Sequence, residues 1–391
     1  MYKRTLDTEI QKLANDYPVV TIIGPRQSGK TTLAKALFPD KPYVNLEAPD
    51  TREKAQLDPR AFLNQFHTGA ILDEIQRAPW LLSYIQVIVD QIGKNGLFIL
   101  TGSHQLELNQ AITQSLAGRT ALCTLLPLSL DELSQAKLHF SIDEYILKGG
   151  YPRLFKDHLE PTVFYRNYFQ TYVERDLRQL IMVKDLSSFE KFVKLLAGRT
   201  AQILNHESLS NEVGVSSHTI KHWISILEAS FIVTRLQPYY ENFGKRLIKS
   251  PKIYFNDTGF LCYLLGIETI THLSRDPLRG NIFENLAVIE CFKARLHRNL
   301  EPKLYFFRDT QGHEVDLLYE EARLLIPIEI KASSTFHGDF LGGIVYFRKI
   351  DPQKTSQGYL IYSGEEGYLK DTTLLNILQA KKAVVEKKSG D

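Results

Sequence analysis

The run Gly24-Pro25-Arg26-Gln27-Ser28-Gly29-Lys30-Thr31 constrains this chain more than any other stretch. It matches GxxxxGK[ST], follows the apolar run Val19-Val20-Thr21-Ile22-Ile23 and precedes helical Leu33-Ala34-Lys35-Ala36-Leu37. A strand that turns through glycines into a helix is one corner of a parallel α/β sheet. The N–H groups of the turn, with the positive end of the helix dipole, form a nest for a phosphate chain. Lys30 is expected at the β- and γ-phosphates and Thr31 on Mg²⁺, with Gly24, Pro25, Arg26, Gln27, Ser28, Gly29 and Thr32 completing the wrap.

A second run, Ala70-Ile71-Leu72-Asp73-Glu74, is an apolar strand ending in two acids. In-line displacement at phosphorus needs a metal and a positioned water, so Asp73 is expected to hold Mg²⁺ and Glu74 to polarise the nucleophile. The strand Leu97 to Leu100 ends in Thr101-Gly102-Ser103, which has two readings, a plain turn or small polar residues, Ser103 among them, that sense the γ-phosphate. Arg119 has two readings, a phosphate-facing arginine acting within the chain or on a neighbour, or a surface ion pair. No NKxD run for reading guanine is present, which favours ATP, with Mg²⁺, over GTP.

At 391 residues the chain exceeds one ordinary core, and 43% apolar with 24% charged residues is ordinary globular composition. Short apolar runs alternating with helical text predict an α/β P-loop domain over 1–128, and helical, aromatic-rich text predicts a lid and connector over 129–186. Helices followed by the β-rich runs Phe231 to Leu236 and Lys252 to Phe255 predict a winged-helix domain over 187–270. A mixed α/β domain is expected over 271–391, with strands at Lys303 to Phe307, Val315 to Tyr319 and Leu324 to Ile330 and a fraying tail from Lys381. No apolar run approaches the roughly 20 residues of a membrane span and the start lacks a secretory core, so a cytoplasmic location is expected. Cys123, Cys262 and Cys291 lie far apart without CxxC spacing, which predicts reduced, buried fillers.

Residues 209–224 read as two helices joined by a turn. Leu209 and Val213 share an apolar face, Gly214 permits the turn, Ser216 caps the second helix, and Val215, Ile220, Ile224 and Leu227 supply its core side. That spacing leaves Ser217, His218, Lys221 and His222 outward, as in a helix-turn-helix. The basic run Asn242 to Lys249 is the expected wing, and residues 161–255 hold 13 Lys/Arg against 8 Asp/Glu. DNA is therefore one expected partner; the alternative is a module that docks a protein or a second copy of the chain.

Further on, Glu284 lies in helical text, Asp316 follows Glu314-Val315, and Pro327-Ile328-Glu329-Ile330-Lys331 ends a strand. The period of two places Glu329 and Lys331 on one face, and Asp316 on the adjacent hairpin completes a cluster of hard oxygen ligands suited to Mg²⁺. An equally ordinary reading is a half-exposed strand with alternating charges.

Taken together, these runs resemble the bacterial and archaeal AAA+-like P-loop ATPases whose C-terminal domain of unknown function contains a winged helix and a fold similar to PD-(D/E)XK nucleases. The resemblance rests on the two phosphate-site runs, Leu72-Asp73-Glu74-Ile75-Gln76, Leu100-Thr101-Gly102-Ser103, Gly149-Gly150-Tyr151-Pro152, and Tyr172-Val173-Glu174-Arg175-Asp176-Leu177. It continues in Lys249-Ser250-Pro251-Lys252-Ile253-Tyr254-Phe255-Asn256-Asp257-Thr258-Gly259 and Gly280-Asn281-Ile282-Phe283-Glu284-Asn285. It implies ATPase chemistry at Lys30, Thr31, Asp73 and Glu74, and nuclease-type roles for Glu284, Asp316, Glu329 and Lys331. Two functions follow as expectations: an ATP-driven switch acting on DNA through its C-terminal half, or a signalling or scaffold ATPase that binds a protein and cuts nothing.

Overall fold

The computed structural model describes residues 2–103, 114–172, 186–239 and 249–385. The run 173–177, the wing residues 242–248 and the tail from 386 lie outside the described residues. Two compact units divide the chain. One is Met1–Leu128 with the short pieces Ala229–Phe231 and Leu296–Leu300; the other is Ser129–Glu228, Ile232–Arg295 and Glu301–Asp391.

The first unit is built on a five-stranded sheet of β1 (Val19–Ile23), β2 (Tyr43–Asn45), β3 (Ala70–Asp73), β4 (Phe98–Gly102) and β5 (Thr120–Thr124), in the order β2-β3-β4-β1-β5. Every pairing is parallel. In β1, β3 and β4 every residue is buried, because both faces of a parallel sheet are covered. The period of two sorts the strand residues into two cores. Val19 and Ile23 pack with Leu72, Leu82, Ile85 and Leu100 on one side. Val20 and Ile22 pack with Leu33, Ala34, Ile71 and Ile99 on the other. Each such side chain taken out of water stabilises the sheet by about 1.5–3 kcal/mol. The parallel register, Ile23 opposite Gly102 and Leu72 opposite Leu100, brings the carboxyl ends of β1, β3 and β4 to one edge, where ligands of open α/β sheets bind.

The second unit begins with short helices, Leu130–Gln135, Ile142–Lys148, Pro152–Lys156 and Pro161–Tyr168. Ser129 and Ser141 start the first two through capping boxes with Glu132 and Glu144. Between the second and third, Gly149 has φ 69°, and a Cβ there would lie 2.1 Å from Tyr165 Oη. Asp257 locks this corner: it accepts from Gly150 N at 2.7 Å, from Tyr165 Oη at 2.6 Å and, as the cap of the helix Thr258–Leu265, from Phe260 N at 2.9 Å.

The sheet of this unit contains β6 (Val233–Pro238), β7 (Lys252–Phe255), β8 (Leu304–Arg308), β9 (Glu314–Glu321), β10 (Leu324–Lys331), β11 (Gly358–Tyr362), β12 (Gly367–Leu369) and β13 (Thr372–Asn376). Its order is β12-β13-β11-β10-β9-β8-β6-β7. β6 pairs antiparallel with β7 and parallel with β8, so the strands expected for the winged helix share one sheet with those expected for the C-terminal domain. The boundary expected at 270/271 is therefore not a break in the sheet. No described helix is long and apolar enough to cross a membrane, and Cys123, Cys262 and Cys291 are all buried and free.

Candidate functional site

The turn after β1 is shaped by close approaches. Gly24, at φ 154°, leaves no room for a side chain, because a Cβ would come within 2.2 Å of the Leu125 carbonyl oxygen. Gln27 and Gly29 have φ of 64° and 99°, and Gly29 caps the helix Lys30–Leu37. Behind the turn, buried Arg4 donates to Ser28 O at 3.0 Å and Leu126 O at 2.6 Å, tying the loop to the exit of β5. Pro25 and Ser28 are buried, Gln27 and Thr32 are exposed, and half-buried Arg26 faces Glu47 at 4.0 Å.

Lys30 is 5% exposed and its ammonium folds back on the loop, donating to Gly24 O at 2.9 Å and Pro25 O at 2.8 Å. Burial pulls it down to about 8, with Glu74 and Asp73 limiting the fall. Thr31 Oγ1 donates to Asp73 Oδ1 at 2.9 Å. Asp73, at the end of β3, also accepts from Tyr43 Oη at 2.7 Å and from Thr101 Oγ1. The Thr101 hydroxyl in turn accepts from Glu74 N at 3.2 Å, so one β4 side chain fixes both acids. Glu74 sits in the left-handed region at φ 57° and ψ 48°, a conformation that costs a non-glycine residue about 1–3 kcal/mol. Its Oε2 accepts from Ser103 Oγ at 3.0 Å and from Gln76 Nε2.

The sheet edge thus brings together Lys30, Thr31, Asp73, Glu74 and Ser103. Two polar atoms here, Ser28 Oγ and Gln76 Oε1, are buried without a hydrogen-bond partner among the described residues, which marks a site shaped for more than its own side chains. A hydroxyl in contact with a carboxylate is a hard-oxygen donor pair that fits Mg²⁺ arriving with a polyphosphate.

The structure does not bring Arg119 to this edge. Its carbonyl accepts from Val19 N, at the amino end of β1 and about 15 Å of strand from the phosphate turn. Its guanidinium is held by Asp90, at 2.6 and 2.9 Å. Of its two readings, the surface ion pair is the one realised within the chain. Sequence reasoning gave no role to Arg4, Tyr43 or Gln76. Gln76 follows the acid pair closely enough to have been suspected, whereas Arg4 and Tyr43 carry no local signal.

In the second unit, Asp316 on β9 meets Glu329 and Lys331 on β10. Lys331 Nζ lies 3.0 Å from Asp316 Oδ2 and 2.8 Å from Glu329 Oε2, so the expected shared face of Glu329 and Lys331 is formed. Glu284 instead accepts from Lys252 Nζ at 2.9 Å and Tyr254 Oη at 2.7 Å. Lys252 also pairs with Glu314 at 2.5 Å, and Arg308 holds the other Glu314 oxygen at 2.8 Å. Burial and the Asp316 charge push Glu329 up to about 9, and burial pushes Glu284 up to about 7 against the pull of Lys252. Burial also works to raise Asp316, but Lys331 and Lys252 hold it below the usual carboxylate range. Among the described residues no group of three or more His, Cys, Asp or Glu is disposed to hold a metal ion. The residues expected as metal ligands are each engaged by an ammonium group, so this cluster does not fit a divalent cation as it stands.

The helix pair is formed as well. His206–Val213 is capped by Asn205 and ends at Gly214, φ 86°; Ser216 Oγ accepts from Thr219 N at 3.0 Å at the start of Ser217–Ala229. Ile220, Trp223, Ile224 and Leu227 are buried, whereas His218, Lys221 and His222 are exposed. Val215, expected in the core, is half-buried.

A family model described as an AAA domain matches residues 16–134. Two more, described as domains of unknown function DUF8612 and DUF4143, match 139–271 and 279–380. The uncharacterized proteins Rv2008c of Mycobacterium tuberculosis and Mb2031c of Mycobacterium bovis are each 31% identical over 336 residues, 85% of this chain and 74% of theirs. An uncharacterized protein of Haemophilus influenzae is 25% identical over 239 residues, 57% of either chain. Among solved structures, the Walker-type ATPase PABY2304 of Pyrococcus abyssi is similar at a TM-score of 0.46 and 14% identity, covering 68% of this chain and 96% of that one.

Proposed function

We propose a function from one premise: this chain belongs to the family of the mycobacterial proteins Rv2008c and Mb2031c, and its N-terminal portion is an AAA-type P-loop ATPase domain. On this reading the chain binds ATP in the turn 24–32 and hydrolyses it, and the nucleotide state switches the C-terminal half.

The observation that carries the reading is the junction of Lys30, Thr31, Asp73 and Glu74 at one sheet edge. The Lys30 ammonium exchanges the Gly24 and Pro25 carbonyls for β- and γ-phosphate oxygens, while the loop amides and the helix N-terminus take the remaining charge. The Thr31 hydroxyl and Asp73 would hold Mg²⁺, which would supply charge neutralisation of the phosphates. Glu74 orients and deprotonates the attacking water, Gln76 and Ser103 aim its carboxylate, and Ser103 is the residue that feels the γ-phosphate. Steady-state ATP turnover tests this. Lys30→Ala is expected to abolish binding or turnover, and an unchanged rate in that variant removes the proposal.

For the C-terminal half, the winged-helix and nuclease-like reading makes DNA the target, contacted by the helix Ser217–Ala229 and the basic run 242–249, with Glu284, Asp316, Glu329 and Lys331 as the cutting residues. A second reading, in which this half binds a partner and cuts nothing, is favoured by one observation: each of these carboxyl groups is already in contact with the ammonium of Lys252 or Lys331.

A further inference from the structure

The run Lys249 to Gly259 contains two residues to which the sequence assigns no chemistry, Lys252 and Tyr254, and both are buried, on β7. The Lys252 side chain is 3% exposed, and its ammonium lies 2.9 Å from Glu284 Oε1 and 2.5 Å from Glu314 Oε1. A lysine is buried this fully only where carboxylates compensate its charge. Burial alone drives such an ammonium toward neutrality; here Glu284, Asp316 and Glu314 overturn that and hold it charged well above the usual lysine range. Tyr254 Oη adds a hydrogen bond to the same Glu284 oxygen, and Arg308 takes the other oxygen of Glu314. On the next strands, Lys331 bridges Asp316 and Glu329 in the same manner, and Ile330 N donates to Asp316 Oδ2 at 2.9 Å.

A divalent ion would have to draw on these same oxygens. Mg²⁺ takes oxygen ligands at about 2.0–2.1 Å in octahedral geometry, and an ammonium in contact with Glu284 and Glu314 obstructs that geometry and repels a second cation. We infer that Lys252 is the resident cation of this module: its ammonium sits between Glu284 and Glu314, as Lys331 sits between Asp316 and Glu329, in the place a divalent metal would need, and the cluster works as a metal-free network of ammonium and carboxyl groups. The inference rests on the reading that this cluster is the nuclease-like centre of the C-terminal half, and it turns that half from a cutting module into a binding one. It is independent of the ATP site.

Manganese binding to the nucleotide-free full chain, read by electron paramagnetic resonance, tests it. The unaltered protein is expected to retain no stoichiometric Mn²⁺ in this module, so that Asp316→Asn changes nothing in the titration. Lys252→Gln is expected to gain one Mn²⁺ per chain, and adding Glu284→Gln is expected to abolish the gain. A site in the unaltered protein that disappears in Asp316→Asn would overturn the inference, and this measurement needs no Lys252 variant to fold. A folded Lys252→Gln chain that gains no Mn²⁺ would overturn it equally. ATP turnover measured alongside reports on the ATPase reading alone, so the two can fail separately.

Discussion

Lys30 is the residue on which pH should act. In the free protein burial lowers its ammonium to about 8, whereas a bound polyphosphate favours the charged form and raises it. The sign follows: above about 8 the free protein has lost a proton that the complex holds, so binding at pH 8.5 takes up protons. Affinity should then fall by up to about tenfold per pH unit above that point. Calorimetry in buffers of different ionisation enthalpy checks this, and proton release would contradict it. The residues around Lys30 differ in how visible they were beforehand. Lys30, Thr31, Asp73 and Glu74 lie in short runs whose chemistry is local. Arg4 acts on a carbonyl 24 residues away and another 122 residues away, and nothing in the run Tyr2 to Thr5 announces such contacts.

Elements were legible where apolar runs were continuous. β1, β3 and β4 are buried on both faces and read as strands directly. β5 escaped notice because its apolar run, Ala121-Leu122-Cys123, is only three residues long between two polar threonines. The run Gly149 to Pro152 was recognisable as a motif without a reason, and the reason is steric: two side chains, Tyr165 and Asp257, occupy the space a Cβ at Gly149 would need. Gly149→Ala is therefore expected to destabilise the second unit by on the order of 1–3 kcal/mol, seen as a lower urea midpoint. Asp257→Asn should act in the same direction, since one amide oxygen replaces two carboxylate oxygens that accept from Gly150 N, Tyr165 Oη and Phe260 N.

At the scale of the whole molecule, the chain joins a unit with a P-loop to a second unit that contains both the helix pair His206–Val213 and Ser217–Ala229 and the charged cluster on β7, β9 and β10. The helix pair was legible from capping and turn residues. The link between Lys252 and Glu284 was not, because it joins a strand and a helix 32 residues apart through charge rather than through a periodic pattern. If the exposed His218, Lys221 and His222 contact DNA, binding to duplex DNA should weaken steeply as salt rises, and Lys221→Ala should lower the salt slope by roughly one unit. A gel-shift series at several salt concentrations measures this, and binding indifferent to salt would remove the DNA reading.

The pairing of β6 with β8 carries a practical consequence for anyone dissecting this protein. A fragment ending at residue 270 would take Tyr305 and Phe306 away from Gln237 and Pro238 at the end of β6, and one beginning at 271 would leave that stretch of β8 without its partner; bared strand edges recruit foreign strands. Both pieces should precipitate or self-associate when expressed alone.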